Sequence, residues 1–463
     1  MSVAATSSAA ARLVEFLLSL RLDRLPSAVI AEARLRLLDS LGCGLYGATT
    51  AWGGIAARVV HAERSQGRAT VYGRGEPVAP ARAALVNATA THGIEFDDLA
   101  PGYVHPGALV IPAVLANTEQ YGLSGAKLVL GVVAGYEAVS RIGLGLGEIE
   151  DWGFHTSGIA GAAGAAIASG VALGMSHEQI MNALGVACSS AGGLRTFTQG
   201  DGGMVKRLHA GRAAEAGVLA CALAREGFTA PRNAVEGRFG LLSTYGRDQS
   251  EPHALDRNLG EDYVVMKVRT KCYPCYYGGV QAMVQALQAL RREHDIRPSD
   301  IAKVRVGTNS RGVTLHGEVA PRETMAAQYS MPFTAALALA GDPRDPRSFS
   351  GDALDDPTVC QVARKVELYG DPEIDAMEPP RRAAHVEVRL TDGRTLQSKL
   401  ADAHGRPGDP CTPDEVKDKF RTLAAVSQTP ESIARVLSLV ERLELLPSID
   451  AVSEALRTGV KTI

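Results

Sequence analysis

The sequence is short of several things, and each shortage excludes a class of function. Aromatic residues make up only 5% of the 463 positions, with two tryptophans, so a platform of stacked rings for nucleobases has few residues to draw on. Basic charge is not in excess either: 48 Lys and Arg stand against 51 Asp and Glu, a net charge of −3. Without a basic field there is no general attraction for a phosphate backbone, and nucleic acid is excluded as an expected partner. The seven cysteines, scattered from Cys43 to Cys411, are too sparse and odd in number for a disulfide framework, which predicts reduced thiols and a cytoplasmic setting. Internal repeats and low-complexity linkers are missing. The opening MSVAATSSAAARLVEFL has no basic start, and Glu15 interrupts its apolar run, so no secretory leader is expected.

What is present is an ordinary globular balance, 46% hydrophobic and 21% charged, in a chain long enough to bury a large core. Glycine, at 49 residues, and alanine are abundant. The stretch from Ser157 to Met175 carries no charge over a length that could cross a bilayer. Its apolar content is mostly alanine, however, and its flanks are His155 and His177 rather than aromatic and basic anchors, so it predicts a buried helix and no membrane partner.

Periodicity divides the chain. Residues 26–41 place Ile30, Ala33, Leu37 and Leu41 at helical spacing, and further helical patterns follow at 110–121, 124–140 and 206–225. Ser176 with Gln179 reads as a capping box. From Tyr263 the period shifts: 263–270 and 301–308 are short β-rich runs around a helical pattern at 281–294, and 384–390 alternates strictly before the turn Thr391-Asp392-Gly393, which predicts a hairpin. Thr412-Pro413-Asp414-Glu415 then opens a helix with a second capping box, and another follows Thr429. The expected fold class is mainly α, with a large all-helical domain built from residues 1–262 and 401–463 and a smaller α+β lid domain at 263–400.

Three clusters could carry chemistry. His92-Gly-Ile-Glu95-Phe-Asp97-Asp98, with His105 beside Pro106 and Gly107, crowds carboxylates that raise one another's pKa values unless compensated. By itself it would read equally as a solvated acidic turn. Gly153-Phe154-His155-Thr156-Ser157 precedes the Ala-rich helix, where free amides and the helix dipole favour an anion; simple capping is the plainer alternative. Lys206, with Arg207 and His209, opens an apolar helix at the end where a positive charge is unfavourable. A solvated basic pair would explain it as well, but such local conflicts are expected at sites. Cys272-Tyr-Pro-Cys275 has redox or metal spacing, yet no second pair and no nearby His completes it, so no metal is expected. Phosphate-cradling glycine motifs are missing, and no nucleotide cofactor is expected.

Taken in order, these segments resemble the MmgE/PrpD family, which includes 2-methylcitrate dehydratase, cis-aconitate decarboxylase and iminodisuccinate epimerase. The matching pieces are LLDSLGCGLYG, HGIEFDD with HPGALVIPAVLA, GFHTSGIAGAAGAA, MVKRLHAGRAA with EGFTAP and EGRFG, KCYP, and AQYSMPFTAALALAGD. The resemblance implies a helical domain from both termini, a lid domain, a homodimer, an active site between the domains and no cofactor. It carries the family's acidic position onto Glu95, with Asp97 and Asp98 retained, its histidines onto His105, His155 and His209, and its lysines onto Lys206 and Lys271. Three positions depart from the polar residues of decarboxylase-like members: Leu99, Val280 and Phe333.

Each lost donor would leave an anionic oxygen unsatisfied at a cost of roughly 1–3 kcal/mol. The expected substrate is therefore a small organic acid with fewer carboxylates than a tricarboxylate, or one with an apolar arm near those three residues. Lys206 or His155 would serve as base and Glu95, Asp97 or His105 as acid in proton transfer next to a carboxylate. Asp98, Thr156, His209, Lys271 and Tyr273 complete the expected substrate contacts. Dehydration of the 2-methylcitrate type ranks first, with epimerisation or cis-aconitate-type decarboxylation behind it and a non-catalytic dimeric binding protein last.

Overall fold

The computed structural model describes residues 8–198, 203–377 and 382–458. The first seven residues of the segment weighed as a leader, an interior stretch of the expected smaller domain at 378–381, and the end of the expected helical domain at 459–463 lie outside the described residues. Helix accounts for 60% of the chain and strand for 8%, which makes the fold mainly α.

The centre is a set of tightly apposed helices: Pro80–His92, Gly125–Leu146, Thr156–Leu173 and Val205–Arg225. The two longest apolar ones, Gly125–Leu146 and Thr156–Leu173, are 89% and 94% buried inside the protein over their most apolar stretches. Small side chains permit this closeness. A methyl group added at Gly164 would meet Val139 Cβ at 2.6 Å, and one at Gly217 would meet Ala165 Cβ at 2.5 Å, both far inside van der Waals contact. The alanine and glycine of the sequence are thus the condition for stacking these helices at minimal spacing.

One apolar core gathers residues from Ala9 to Val268 and again from Val416 to Leu456. A second gathers residues from Tyr273 to Ala403. The second core surrounds a four-stranded sheet in the order β2-β1-β3-β4, formed by β1 (Ile301–Thr308), β2 (Val366–Gly370), β3 (Ala384–Leu390) and β4 (Thr395–Leu400). β1 pairs parallel with β2 and antiparallel with β3, and β3–β4 is the hairpin expected from Asp392-Gly393, where Gly393 takes φ 91°. Helix Gly278–Glu293 covers one face, burying Val280, Met283, Val284 and Leu287.

Both capping boxes form: Ser176 and Gln179 cap His177–Ser189, and Thr412 and Glu415 cap Pro413–Ala424. The run from Tyr263 to Thr270 is not a strand. Val264–Lys267 makes a 3-10 turn, after which Arg269 exchanges two backbone hydrogen bonds with Leu99, at 3.0 and 2.7 Å. Its β-rich composition serves one short bridge because the chain is here crossing from one core to the other and, among the described residues, no further strand lies alongside.

Candidate active site

The acidic loop after helix Pro80–His92 is held from several sides. Asp98 uses both oxygens structurally, accepting from the Gly107 amide at 2.8 Å and the Tyr136 hydroxyl at 2.7 Å, and burial pushes its carboxyl up to about 6. Gln328 Nε2 donates to the Ile94 carbonyl at 2.8 Å, tying the loop to the second core. Glu95 itself takes φ 53°, an uncommon conformation for a non-glycine residue that is sustained only by surroundings that over-determine it. The strained backbone turns its carboxylate inward.

That carboxylate is shared by two lysines. Lys271 Nζ donates to Oε2 at 3.0 Å, and Lys206 Nζ makes an ion pair with Oε1. All three residues are at most 3% exposed. Glu95 thus supplies in space the negative charge that the basic helix start at Val205 lacks in sequence. Burial, then the charges of Lys271 and Arg207, push the Lys206 ammonium well below its ordinary value; burial lowers Lys271 as well, with Asp97 opposing it.

Beside this triad lie four histidines. His92 Nδ1 stands 2.7 Å and His105 Nδ1 3.2 Å from Asp97 Oδ2. Burial alone would raise the Asp97 carboxyl, but the two imidazoles hold it well below the usual carboxylate range. His92 is pushed down by burial to about 3. His155, whose ring stacks on His92 with centroids 5.7 Å apart, shares a proton with His209 across an Nδ1···Nδ1 distance of 3.1 Å. Burial, reinforced by the neighbouring histidines, drives His155 well down, and burial beside Lys206 takes His209 to about 4. Lys206 and His209 reach one place because residues three apart share a helix face.

The triad, His105, His155 and Leu99 line a cavity of about 190 Å³ between the two cores. Its other wall comes from Arg195, Glu150, His316, Tyr329 and Arg382, none of which sequence reasoning singled out, with Tyr276 and Tyr277, which lie in the segment where a tyrosine could replace the lost polar contacts. Tyr329 lies within AQYSMPF, four positions before Phe333, and its ring faces Lys206 Nζ at 5.4 Å from the centroid. It also packs against Tyr276, whose ring meets that of His316 at 4.6 Å. Arg195 and Arg382 had no local signal.

The structure places the remaining candidates elsewhere. Val280 and Phe333 are buried in the second core, and Tyr273, hydrogen-bonded to Gln288 at 3.0 Å, belongs to that core too. None of the three lines the cavity: helix Gly278–Glu293 buries Val280 in the second core, helix Met331–Ala340 sets Phe333 against Phe349 with ring centroids 6.2 Å apart, and Tyr273 precedes both helices. The expected apolar arm near Val280 and Phe333 therefore has no space to occupy, and only Leu99 of the three departures borders the cavity, so a substrate with fewer carboxylates than a tricarboxylate is no longer implied. Thr156 is buried in the first turn of its helix, and Asp98 stands behind the loop.

The cavity between the helical core and the smaller α+β part thus gathers buried lysines and histidines, side chains of the kind that acid–base chemistry uses. Models of the MmgE/PrpD N-terminal and C-terminal domains match residues 11–253 and 273–445, so the chain belongs to the MmgE/PrpD family. It is similar to the cis-aconitate decarboxylase of Aspergillus terreus, 28% identical over 99% of this chain and 98% of the relative. It also resembles the cis-aconitate decarboxylase of Homo sapiens, 26% identical over 95% of this chain and 91% of the relative. The protein is an enzyme of the lyase type that this family comprises.

Proposed function

We propose that the protein decarboxylates a small unsaturated polycarboxylate of the cis-aconitate class. The observation that carries this reading is the Lys206–Glu95–Lys271 triad: two buried lysines share one carboxylate as their direct partner, so an anionic substrate entering the cavity would meet an incompletely paired cation. Arg195 and Arg382 on the opposite wall supply further charge-assisted donors for carboxylates.

Breaking the C–CO2 bond leaves an electron pair that moves through the adjacent double bond onto the conjugated carboxylate. A proton delivered to the far alkene carbon completes the exchange of carbon dioxide for hydrogen. The Lys206 ammonium, destabilised by burial, is a ready donor for that proton, and the paired histidines His155 and His209 can return one from solvent. The sequence favours dehydration first; the similarity to proteins named cis-aconitate decarboxylases supports reading decarboxylation ahead of it.

Incubating the purified protein with cis-aconitate in D2O, followed by proton NMR and carbon dioxide release, tests the reading. One carbon dioxide per substrate consumed and one deuterium in the product are expected. Water loss from 2-methylcitrate without carbon dioxide release would replace it with a hydro-lyase, and deuterium exchange without net loss would replace it with an isomerase.

A further inference from the structure

A second set of reactive side chains lies behind Lys271, outside the active cavity. Cys272 and Cys411, 139 residues apart in sequence, bring their sulfurs to 3.6 Å. His404 completes the group: one donor atom from each of the three lies within 4.8 Å of the others. The Cys272-Tyr-Pro-Cys275 spacing is a false lead, since Cys275 is buried against Gln281 instead. The partners that sequence spacing could not supply come from the returning chain segment.

We infer that Cys272, His404 and Cys411 form a binding site for a thiolate-preferring divalent cation such as Zn2+. The geometry fits: sulfurs about 2.3 Å from a tetrahedral zinc stand about 3.8 Å apart, close to the observed separation and too far for a covalent bond between them. The second shell is also in place. Glu415 lies 3.1 Å from His404 Nε2 and Asp409 lies 3.2 Å from Nδ1, so whichever nitrogen binds, the other keeps a carboxylate that fixes the ring. The three residues border a cavity of about 350 Å³, which gives an ion access and leaves room for a fourth ligand.

The ion clamps the chain where it leaves the helical body to where it returns. Cys272 directly follows Lys271, whose carbonyl accepts from Lys419 Nζ at 3.1 Å, and Cys411 precedes the cap of helix Pro413–Ala424. The site therefore holds the backbone of Lys271 from behind.

The test uses the full-length protein, stripped with a chelator under reductant and titrated anaerobically with Co2+, then Zn2+. One Co2+ per chain, a thiolate-to-cobalt charge-transfer band and displacement by Zn2+ are expected. Cys411→Ser should weaken Co2+ binding by more than the roughly 10–100-fold that loss of a supporting group costs, and Glu415→Gln by an amount within that range. Cys360→Ser, at a cysteine remote from the cluster, should leave the titration unchanged. The inference is overturned if the wild-type protein gives no band, if the band survives in a folded Cys411→Ser variant, or if Cys272 and Cys411 form a disulfide in air while the reduced protein takes up no metal.

Discussion

Lys271 donates to Glu95 across 3.0 Å, and that single bond joins the stretch carrying the chain out of the helical body to the acidic loop inside it. Because Lys206 competes for the same carboxylate, two buried lysines depend on one direct partner.

That imbalance makes stability and activity separable. Lys206→Met leaves a matched Glu95–Lys271 pair, so the melting temperature at neutral pH should hold or rise while kcat falls by about 10²–10⁴-fold. The depressed Lys206 value means that unfolding takes up a proton, so wild-type stability climbs with pH toward the ordinary lysine value. Urea midpoints across alkaline pH should show that climb in the wild type and lose it in the variant.

Acid should act through the histidines. His92, lowered to about 3, and His209, lowered to about 4, stay neutral in the fold while the unfolded chain protonates below about pH 6.5. Each therefore removes up to about 1.4 kcal/mol of stability per pH unit between 6.5 and its folded value. His209→Gln should flatten the loss between pH 6.5 and 4 and change nothing above it. Asp97, held low by its imidazoles, contributes stability that is lost only as pH falls from about 3.9 through its folded value.

The placement of Phe333 and Tyr329 can be tested by exchanging a hydroxyl. Phe333→Tyr buries an unsatisfied group in the second core and should cost about 1–3 kcal/mol with kcat per folded enzyme unchanged. Tyr329→Phe should lower kcat/KM by about 10–100-fold, the equivalent of one hydrogen bond to a charged group. The reverse pattern in steady-state kinetics would move the cavity wall.

Arg195 lines the cavity and pairs with Glu150 at 3.1 Å. If it holds a substrate carboxylate equally in ground and transition states, Arg195→Ala raises KM about tenfold or more with little change in kcat. An equal fall in kcat and kcat/KM would assign it to the transition state instead.

Legibility followed the range of the interactions. The caps at Ser176 and Thr412 and the Asp392-Gly393 turn were readable because their chemistry spans three or four residues. Lys206 stood out because a basic helix start breaks a local rule, Glu95 because it crowds with Asp97 and Asp98, and His155 because it sits where a helix leaves amides free. The bond between Glu95 and Lys271 spans 176 residues, and neither Arg195 nor Arg382 departs from its local pattern, so the far wall appears only when the chain is folded. Residues 263–270 were misread as a strand because side-chain composition reports burial, not whether a neighbouring strand exists. Val280 and Phe333 were displaced for a related reason: position along a motif does not say which face of a helix meets the cavity.

The close helix stacking at Gly164 and Gly217 has a further consequence. A helix stack into which no methyl group can be inserted offers evolution almost no intermediate steps, whereas His316, Tyr329 and Arg382 stand on shorter, separately supported segments. Changes of substrate within this lineage should therefore accumulate on the side of His316, Tyr329 and Arg382, where a side chain can be exchanged without moving a helix, while the helical side that carries Lys206 and His155 changes less.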